Sequence, residues 1–192
     1  MGSHDIAALT PLSHAKVAGL AALLPKSSPE MALQVVEPMH VLSLRHLPGG
    51  GTSVLSTVLA GNTLPVPGRC CGIEPRLIWR SPNETLLLTK DASLASALLA
   101  ALRPAPGALA CALDSSAGTL VVEMRGGNVE ALLSRLVDSH ALPRDVDRAS
   151  RVRLVDIAAV IWRDAPDHAG LLIDRADGHY LARWLNYGAD GI

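Results

Sequence analysis

The sequence contains few aromatic residues and few charges. Aromatic side chains make up 3% of the 192 residues, with three Trp, two Tyr and no Phe, although 49% of the residues are hydrophobic. The interior must therefore be built mainly from aliphatic side chains. Charged residues amount to 18% and balance to a net charge of −1, so there is no basic excess to neutralise nucleic-acid phosphates. This composition excludes a disordered chain and argues against nucleic acid as a partner.

Cysteine and long apolar runs are also scarce. The three cysteines, Cys70, Cys71 and Cys111, are too few and too unevenly placed for the disulfide framework of a small secreted protein. The N-terminal residues show no basic segment followed by an apolar one, so we expect no secretory signal. The longest apolar runs are far shorter than the roughly 18 residues that a membrane helix needs. We therefore expect a cytoplasmic protein that has no membrane partner.

No catalytic or metal-binding motif is complete. The sequence has no C-x-x-C pair, no H-x-x-x-H pair and no G-x-S-x-G nucleophile elbow. The glycines at residues 49–51 precede a predicted helix and could hold an anion there, but the lysine of a P-loop is missing. We interpret them as a tight turn capped by Thr52 or Ser53, and Asn128 as the equivalent cap in the second half. We expect no catalytic, cofactor-binding or metal-binding residue in this chain.

Helical periodicity begins near the N-terminus. Val17, Leu20 and Leu24 fall on one helical face, with Ser13 as the predicted N-cap and Pro25 as the stop. Further along, the apolar patterns predict strands at residues 40–46, 76–80, 85–89 and 108–113, and helices at residues 52–60 and 92–102. The resulting order, β-α-β-β-α-β, is that of a ferredoxin-like fold.

The second half of the chain repeats this plan. Residues 120–136 follow the strand, glycine and helix pattern of residues 41–59, and the Ile-Trp-Arg triplet at residues 78–80 returns at residues 161–163. We predict an α+β protein of two duplicated ferredoxin-like modules with mostly antiparallel strands in a continuous sheet, preceded by an N-terminal helix. The predicted boundaries are 1–30 for the N-terminal arm and helix, 31–114 for the first module and 115–192 for the second. One continuous domain is the alternative, because each module alone is small.

Two groups of side chains are candidates for binding. Asp114 and Ser116 follow an apolar strand, where a carboxylate could contact a ligand amine, although such residues in a turn more often bond the local backbone. Tyr180, Trp184 and Tyr187 recur at helical spacing in the last predicted helix. They could cover the edge of the core or form a docking surface for a partner protein, since Trp and Tyr are common interface anchors.

Several stretches resemble a known family. The segment IWRSPNETLLL at residues 78–88, preceded by LAGNTLPVPGR at 59–69, resembles the gamma subunit of heterotetrameric sarcosine oxidase. Residues 112–136, ALDSSAGTLVVEMRGGNVEALLSRL, resemble both that subunit and the folate-binding aminomethyltransferase of glycine cleavage. The closing segment LLIDRADGHYLARWL at 171–185 fits the same pattern. These segments occur in the same order over roughly residues 30–190.

The resemblance implies a role in a multi-subunit flavoprotein. That complex demethylates sarcosine oxidatively to glycine, releases hydrogen peroxide and passes the one-carbon unit to tetrahydrofolate. The resemblance places FAD, FMN and NAD in the large alpha and beta chains, the folate site in alpha and a zinc ion in delta. It gives the gamma chain an architectural role without a cofactor of its own. The first hypothesis is therefore a non-catalytic subunit that assembles with alpha, beta and delta chains.

The second hypothesis is a free-standing protein similar to the aminomethyltransferase that binds folate or a one-carbon unit. Under this hypothesis Asp114 and Ser116 contact the folate or the amine. A full aminomethyltransferase is about twice this length, which favours the first hypothesis.

Overall fold

The computed structural model describes residues 19–59 and 62–192. Its ten strands are β1 (Ala32–Val35), β2 (His40–His46), β3 (Cys70–Cys71), β4 (Arg76–Ser81), β5 (Glu84–Thr89), β6 (Ala110–Asp114), β7 (Thr119–Arg125), β8 (Ala149–Leu154), β9 (Ile157–Ala165) and β10 (His168–Asp174). Its complete helices are α1 (Gly50–Val58), α2 (Ala92–Ala101), α3 (Val129–Leu136) and α4 (Gly178–Ala189), with short 3₁₀ turns at Ser116–Gly118 and Arg175–Asp177. None of the helices in these two ranges is both long and apolar enough to cross a bilayer.

The first sheet has the predicted ferredoxin-like topology. Its strand order is β3-β4-β5-β2-β6, and every neighbouring pair is antiparallel. Along the chain, β2, α1, β4, β5, α2 and β6 follow the β-α-β-β-α-β order, and the two-residue β3 extends one edge. The α+β prediction is confirmed for this half, including the strand at residues 40–46.

The second sheet repeats this order with one strand taken from the start of the chain. Its order is β8-β9-β10-β7-β1, again antiparallel throughout. In position, β1 matches β6 of the first sheet, since each lies at an edge beside the first strand of its module. The strand that opens the predicted 31–114 segment thus completes the sheet of the 115–192 segment, and the two halves depend on each other.

The two sheets pack face to face with helices on both outer sides. Alternate residues of each strand point to opposite faces. Those between the sheets form a small aliphatic cluster that includes Val41, Ile78, Leu86, Val160 and Leu172. The other faces form two larger clusters, one under α1 and α2 and one under α3 and α4. The order of layers is helix, sheet, sheet, helix.

The predicted continuous sheet is wrong. The inner faces of the two sheets stack on each other, and their edges meet at an isolated antiparallel bridge between Arg69 and Arg148. Stacking buries both inner faces, whereas a single ten-stranded sheet would leave one face of each module exposed. For the N-terminal helix, residues 19–21 are helical and Leu20 and Leu24 are buried, as expected. Ser13 and Val17 lie outside the described residues.

The helix caps differ from expectation in two places. The N-cap of α1 is Gly49, at φ 77°, so neither Thr52 nor Ser53 caps this helix. Asn128 occupies the N-cap position of α3, but its side chain makes no capping hydrogen bond. In α2, by contrast, the Asp91 carboxylate accepts hydrogen bonds from the backbone N–H groups of Ser93 and Leu94, at 2.8 and 3.1 Å.

Candidate functional site

The predicted aromatic residues form a row along the outer side of α4. Tyr180 and Trp184 have ring centroids 6.1 Å apart, and Trp184 and Tyr187 meet edge to face at 5.5 Å. Tyr180 and Trp184 also pack against the core under α4, whereas Tyr187 is 73% exposed. The Tyr180 hydroxyl donates to a carboxylate oxygen of Asp156 at 3.3 Å. The row therefore covers the core at one end and presents an exposed ring at the other.

Asp114 and Ser116 lie in a turn that uses their polar atoms locally. One Asp114 carboxylate oxygen accepts hydrogen bonds from the Ser116 backbone N–H at 2.9 Å and from its hydroxyl at 2.5 Å. The Ser116 hydroxyl also accepts a hydrogen bond from the Val41 backbone N–H at 2.9 Å. This turn borders an opening of about 360 Å³. The turn interpretation thus accounts for these contacts, although both residues remain next to open space.

A larger cleft opens between the two sheets, and no motif in the sequence points to it. Its volume is about 630 Å³, within the range of small-molecule pockets. The floor is apolar and comes from both sheets, with Met39, Leu88, Val121 and Trp162. The walls carry the charged side chains Glu74, Arg76, Lys90, Glu123, Arg125, Asp147 and Asp164, together with His168.

A polar cluster joins the two sheets deep in this cleft. Arg76 of the first sheet forms an ion pair with Asp164 of the second, and their side chains are 12% and 15% exposed. The second Asp164 oxygen accepts a hydrogen bond from the Trp162 indole N–H at 3.2 Å and lies 3.6 Å from His168 Nδ1. Both oxygens of the Asp164 carboxylate therefore have donors nearby. These donors offset the free-energy cost of burying its charge between apolar sheets.

The rim of the cleft has both signs of charge. Arg125 and Glu123 form an exposed ion pair at 3.3 Å. A Glu74 carboxylate oxygen accepts hydrogen bonds from the Thr89 hydroxyl and from the Lys90 backbone N–H, the latter at 3.1 Å. Among the described residues, the Lys90 ammonium has no carboxylate within ion-pair distance. Lys90 thus remains available to an anionic group.

The cysteines next to the cleft are poor nucleophiles. Burial raises the pKa of the Cys70 thiol to about 11, although the neighbouring Arg76 guanidinium opposes part of this shift. Burial also raises the pKa of Cys71, whose thiol donates to the Thr63 carbonyl oxygen at 3.1 Å. Because the thiolate is the reactive form, neither residue has the character of a catalytic cysteine.

The side chains that could bind a metal ion are scattered over residues 19–59 and 62–192. Within these ranges no three His, Cys, Asp or Glu side chains lie close enough together to hold a metal ion. His46, His140, His168 and His179 lie on different elements.

Comparison with known proteins identifies relatives by structure rather than by sequence. No protein-family profile matches the sequence, and no curated protein matches it in a sequence search. By structure, the fold is that of the glycine cleavage system aminomethyltransferase T from Bartonella henselae, with a TM-score of 0.59 and 13% identity. The match covers 86% of this chain and 48% of that one, so the chain spans about half its length. At this identity the likeness shows the fold alone.

A more similar structure belongs to heterotetrameric sarcosine oxidase. A chain of this enzyme from Corynebacterium sp. U-96, solved in complex with pyrrole 2-carboxylate, matches with a TM-score of 0.75 and 25% identity. The match covers 89% of each chain, so the two chains are nearly equal in length. The resemblance to this oxidase and to the aminomethyltransferase fold, predicted from the sequence segments, is confirmed.

Proposed function

We propose that this chain is the non-catalytic gamma subunit of a sarcosine oxidase-type flavoprotein complex. The observation that carries the proposal is the match over 89% of both chains to one chain of a heterotetrameric sarcosine oxidase. A match over most of the length of a nearly equally long chain supports an equivalent subunit, whereas a match to part of a larger chain would support only a shared domain.

The proposed role is assembly. The complex would demethylate sarcosine to glycine and transfer the one-carbon unit to tetrahydrofolate. FAD, FMN and NAD would be held by the alpha and beta chains, tetrahydrofolate by alpha and zinc by delta. In this proposal the gamma chain supports the large chains and the complex is cytoplasmic, which fractionation of the native cells tests.

The aromatic row is the proposed contact with a large chain. Tyr187 is 73% exposed at the end of a row whose other members, Tyr180 and Trp184, are anchored on the core. An anchored aromatic surface loses little side-chain entropy on binding, and Tyr and Trp are enriched among the residues that dominate interface energies.

Co-expression with the alpha, beta and delta chains tests the proposal. We expect the tagged chain to co-purify with the large chains, to co-elute with them in size-exclusion chromatography and to carry flavin absorbance through them. A chain that elutes alone as a stable monomer in the presence of all three partners would contradict the proposal.

The second candidate function is a free-standing protein that binds folate or a one-carbon unit. The aminomethyltransferase fold and the open space beside Asp114 and Ser116 support it. The local hydrogen bonds of both side chains, and the coverage of half the aminomethyltransferase, weigh against it. Calorimetry of the isolated chain with tetrahydrofolate separates the candidates. Saturable heat that is lost on Asp114→Ala supports this second function, and heat equal to that of buffer removes it.

A further inference from the structure

We propose that the cleft between the two sheets binds a small zwitterion that has one carboxylate and one ammonium group, as amino acids have. This inference goes beyond the proposed assembly role and does not depend on it. The cleft lies at the junction of the two modules, encloses about 630 Å³ and has an apolar floor below charged walls. These are the general features of a small-molecule site.

The two walls of the cleft carry opposite charge. On the first-sheet wall, Arg76 and Lys90 outnumber the single carboxylate of Glu74. That carboxylate already accepts hydrogen bonds from Thr89 and from the Lys90 backbone. The first wall is therefore electropositive, and its unpaired cation is Lys90.

The second wall has an acidic excess. Glu123, Asp147 and Asp164 outnumber the single arginine of this wall, Arg125. Arg76 pairs with Asp164 and Arg125 pairs with Glu123, so among the described residues the charges left for a ligand are the Asp147 carboxylate on this wall and the Lys90 ammonium on the other.

Two walls of opposite charge select for a ligand that carries both charges. A simple anion would be attracted to one wall and repelled by the other, and the same holds for a simple cation. A zwitterion with its carboxylate towards Lys90 and its ammonium towards Asp147 satisfies both walls. The floor of Met39, Leu88, Val121 and Trp162 keeps water away from one side, which strengthens these interactions relative to bulk water.

The two sheets that form the walls are held in place before a ligand arrives. The Arg76–Asp164 ion pair ties one sheet to the other, and the Trp162 indole N–H fixes the Asp164 carboxylate from the floor. A ligand entering the cleft therefore meets two sheets whose relative position is already fixed, so little free energy is lost in ordering them.

The test compares glycine with probes that carry only one of its two charged groups, on the full chain. Glycine is the zwitterion, acetate supplies only the carboxylate, and methylammonium supplies only the cation. We expect glycine to shift the ¹H–¹⁵N signals of Lys90 and of the Trp162 indole saturably, with the other two probes binding at least about tenfold more weakly. Acetate or methylammonium binding as tightly as glycine, or glycine causing no saturable shift, overturns the proposal.

Matched variants assign the binding to this cleft. Lys90→Met should weaken glycine binding at least about tenfold, whereas Lys26→Met, the same change at an exposed lysine outside the cleft, should leave it unchanged. Asp147→Asn serves as a second variant if circular dichroism shows that Lys90→Met does not fold. Wild-type affinity in a folded Lys90→Met or Asp147→Asn protein overturns the proposal. None of these results bears on co-purification with the large chains, so the two proposals fail separately.

Discussion

Arg69 and Arg148 face each other at the centre of a local two-fold arrangement that joins the two halves of the chain. On one side of this bridge the Cys70 N–H donates to the Asp147 carbonyl at 2.8 Å, and on the other the Ala149 N–H donates to the Gly68 carbonyl at 3.0 Å. The two donors directly follow the two arginines, and the two acceptors directly precede them. The duplication seen in the sequence is therefore also a symmetric contact between the modules.

The same symmetry aligns the two halves residue by residue. The Arg69 carbonyl accepts a hydrogen bond from the Trp79 N–H, and the Arg148 carbonyl accepts one from the Arg163 N–H, both at 3.0 Å. Trp79 therefore corresponds to Arg163, and not to Trp162 as the repeated Ile-Trp-Arg triplet indicates. A shift of one residue in a strand reverses the face of every side chain. Trp162 accordingly lies between the sheets, as Ile78 does. Because successive side chains of a strand point to opposite faces, Trp79 falls on the same face of its strand as Leu77, which packs under the helices.

The position of Trp162 predicts that Gly170 cannot be replaced by a larger residue. A Cβ added at Gly170 would lie 1.9 Å from Cζ2 of the Trp162 ring, on the neighbouring strand. Gly170→Ala should lower the free energy of unfolding by about 2–3 kcal/mol, because Trp162 is buried and must move. Urea denaturation monitored by circular dichroism measures this loss.

A double-mutant cycle and a control substitution test whether contact with the Trp162 ring causes this loss of stability. Trp162→Leu should restore part of the stability lost in Gly170→Ala, giving a coupling of about 1 kcal/mol or more in a double-mutant cycle. A Cβ at Gly118 would meet nothing within 4 Å, so Gly118→Ala should change stability by less than about 0.5 kcal/mol. Additive effects of the Gly170 and Trp162 substitutions would show that the ring contact is not responsible.

Local sequence patterns predicted the strands and helices but not how distant segments combine. The strand at residues 40–46 and the helix starting at Ala92 are specified by periodicity and by the Asp91 cap, both local signals. The pairing of β1 with β7 joins Ala32 to Arg125, and no local pattern encodes it. The cleft was missed for the same reason, because Arg76 and Asp164 become neighbours only when the two sheets stack.

The buried arginine of β9 should contribute strongly to stability. The Arg163 side chain is 0% exposed, and it donates to the carbonyl oxygens of Pro143 and Pro166, each at 3.2 Å. Burial lowers the pKa of Arg163, while the nearby Glu130 carboxylate favours the charged form. Arg163→Ala leaves the buried Pro143 carbonyl without its donor and creates a cavity, so we expect a loss of about 3 kcal/mol in urea denaturation.

An exposed arginine on the adjacent strand gives the control for this loss. Arg153 is 74% exposed and pairs with Asp156 at 3.2 Å. Arg153→Ala should change the free energy of unfolding by less than about 0.5 kcal/mol, because solvent screens exposed ion pairs. Equal losses in the two variants would mean that burial does not determine how much Arg163 contributes to the free energy of unfolding.

The raised pKa of Cys70 predicts a decline of stability in alkali. In the unfolded chain this thiol ionises near pH 9.0, whereas in the folded protein its pKa is about 11. The unfolded state therefore loses its proton first, so the contribution of Cys70 is complete below pH 9 and is lost as the pH rises towards 11. Cys70→Ala should flatten the pH dependence of the urea midpoint in this window. An equally steep decline in the variant would assign the effect to other groups.

The exposed end of the aromatic row provides the most direct test of the proposed subunit interface. Tyr187→Ala should weaken binding to the large chains by about 2 kcal/mol or more, while the stability of the free chain changes by less than about 0.5 kcal/mol. Trp184→Ala should lower both quantities, because Trp184 packs on the core as well as on Tyr187.

Arg183→Ala, at an exposed position of the same helix, is the control and should leave both the affinity for the large chains and the stability of the free chain unchanged. Titration calorimetry with the purified large chains measures affinity, and thermal unfolding measures stability. Unchanged affinity in Tyr187→Ala would place the contact with the large chains on another face of the protein.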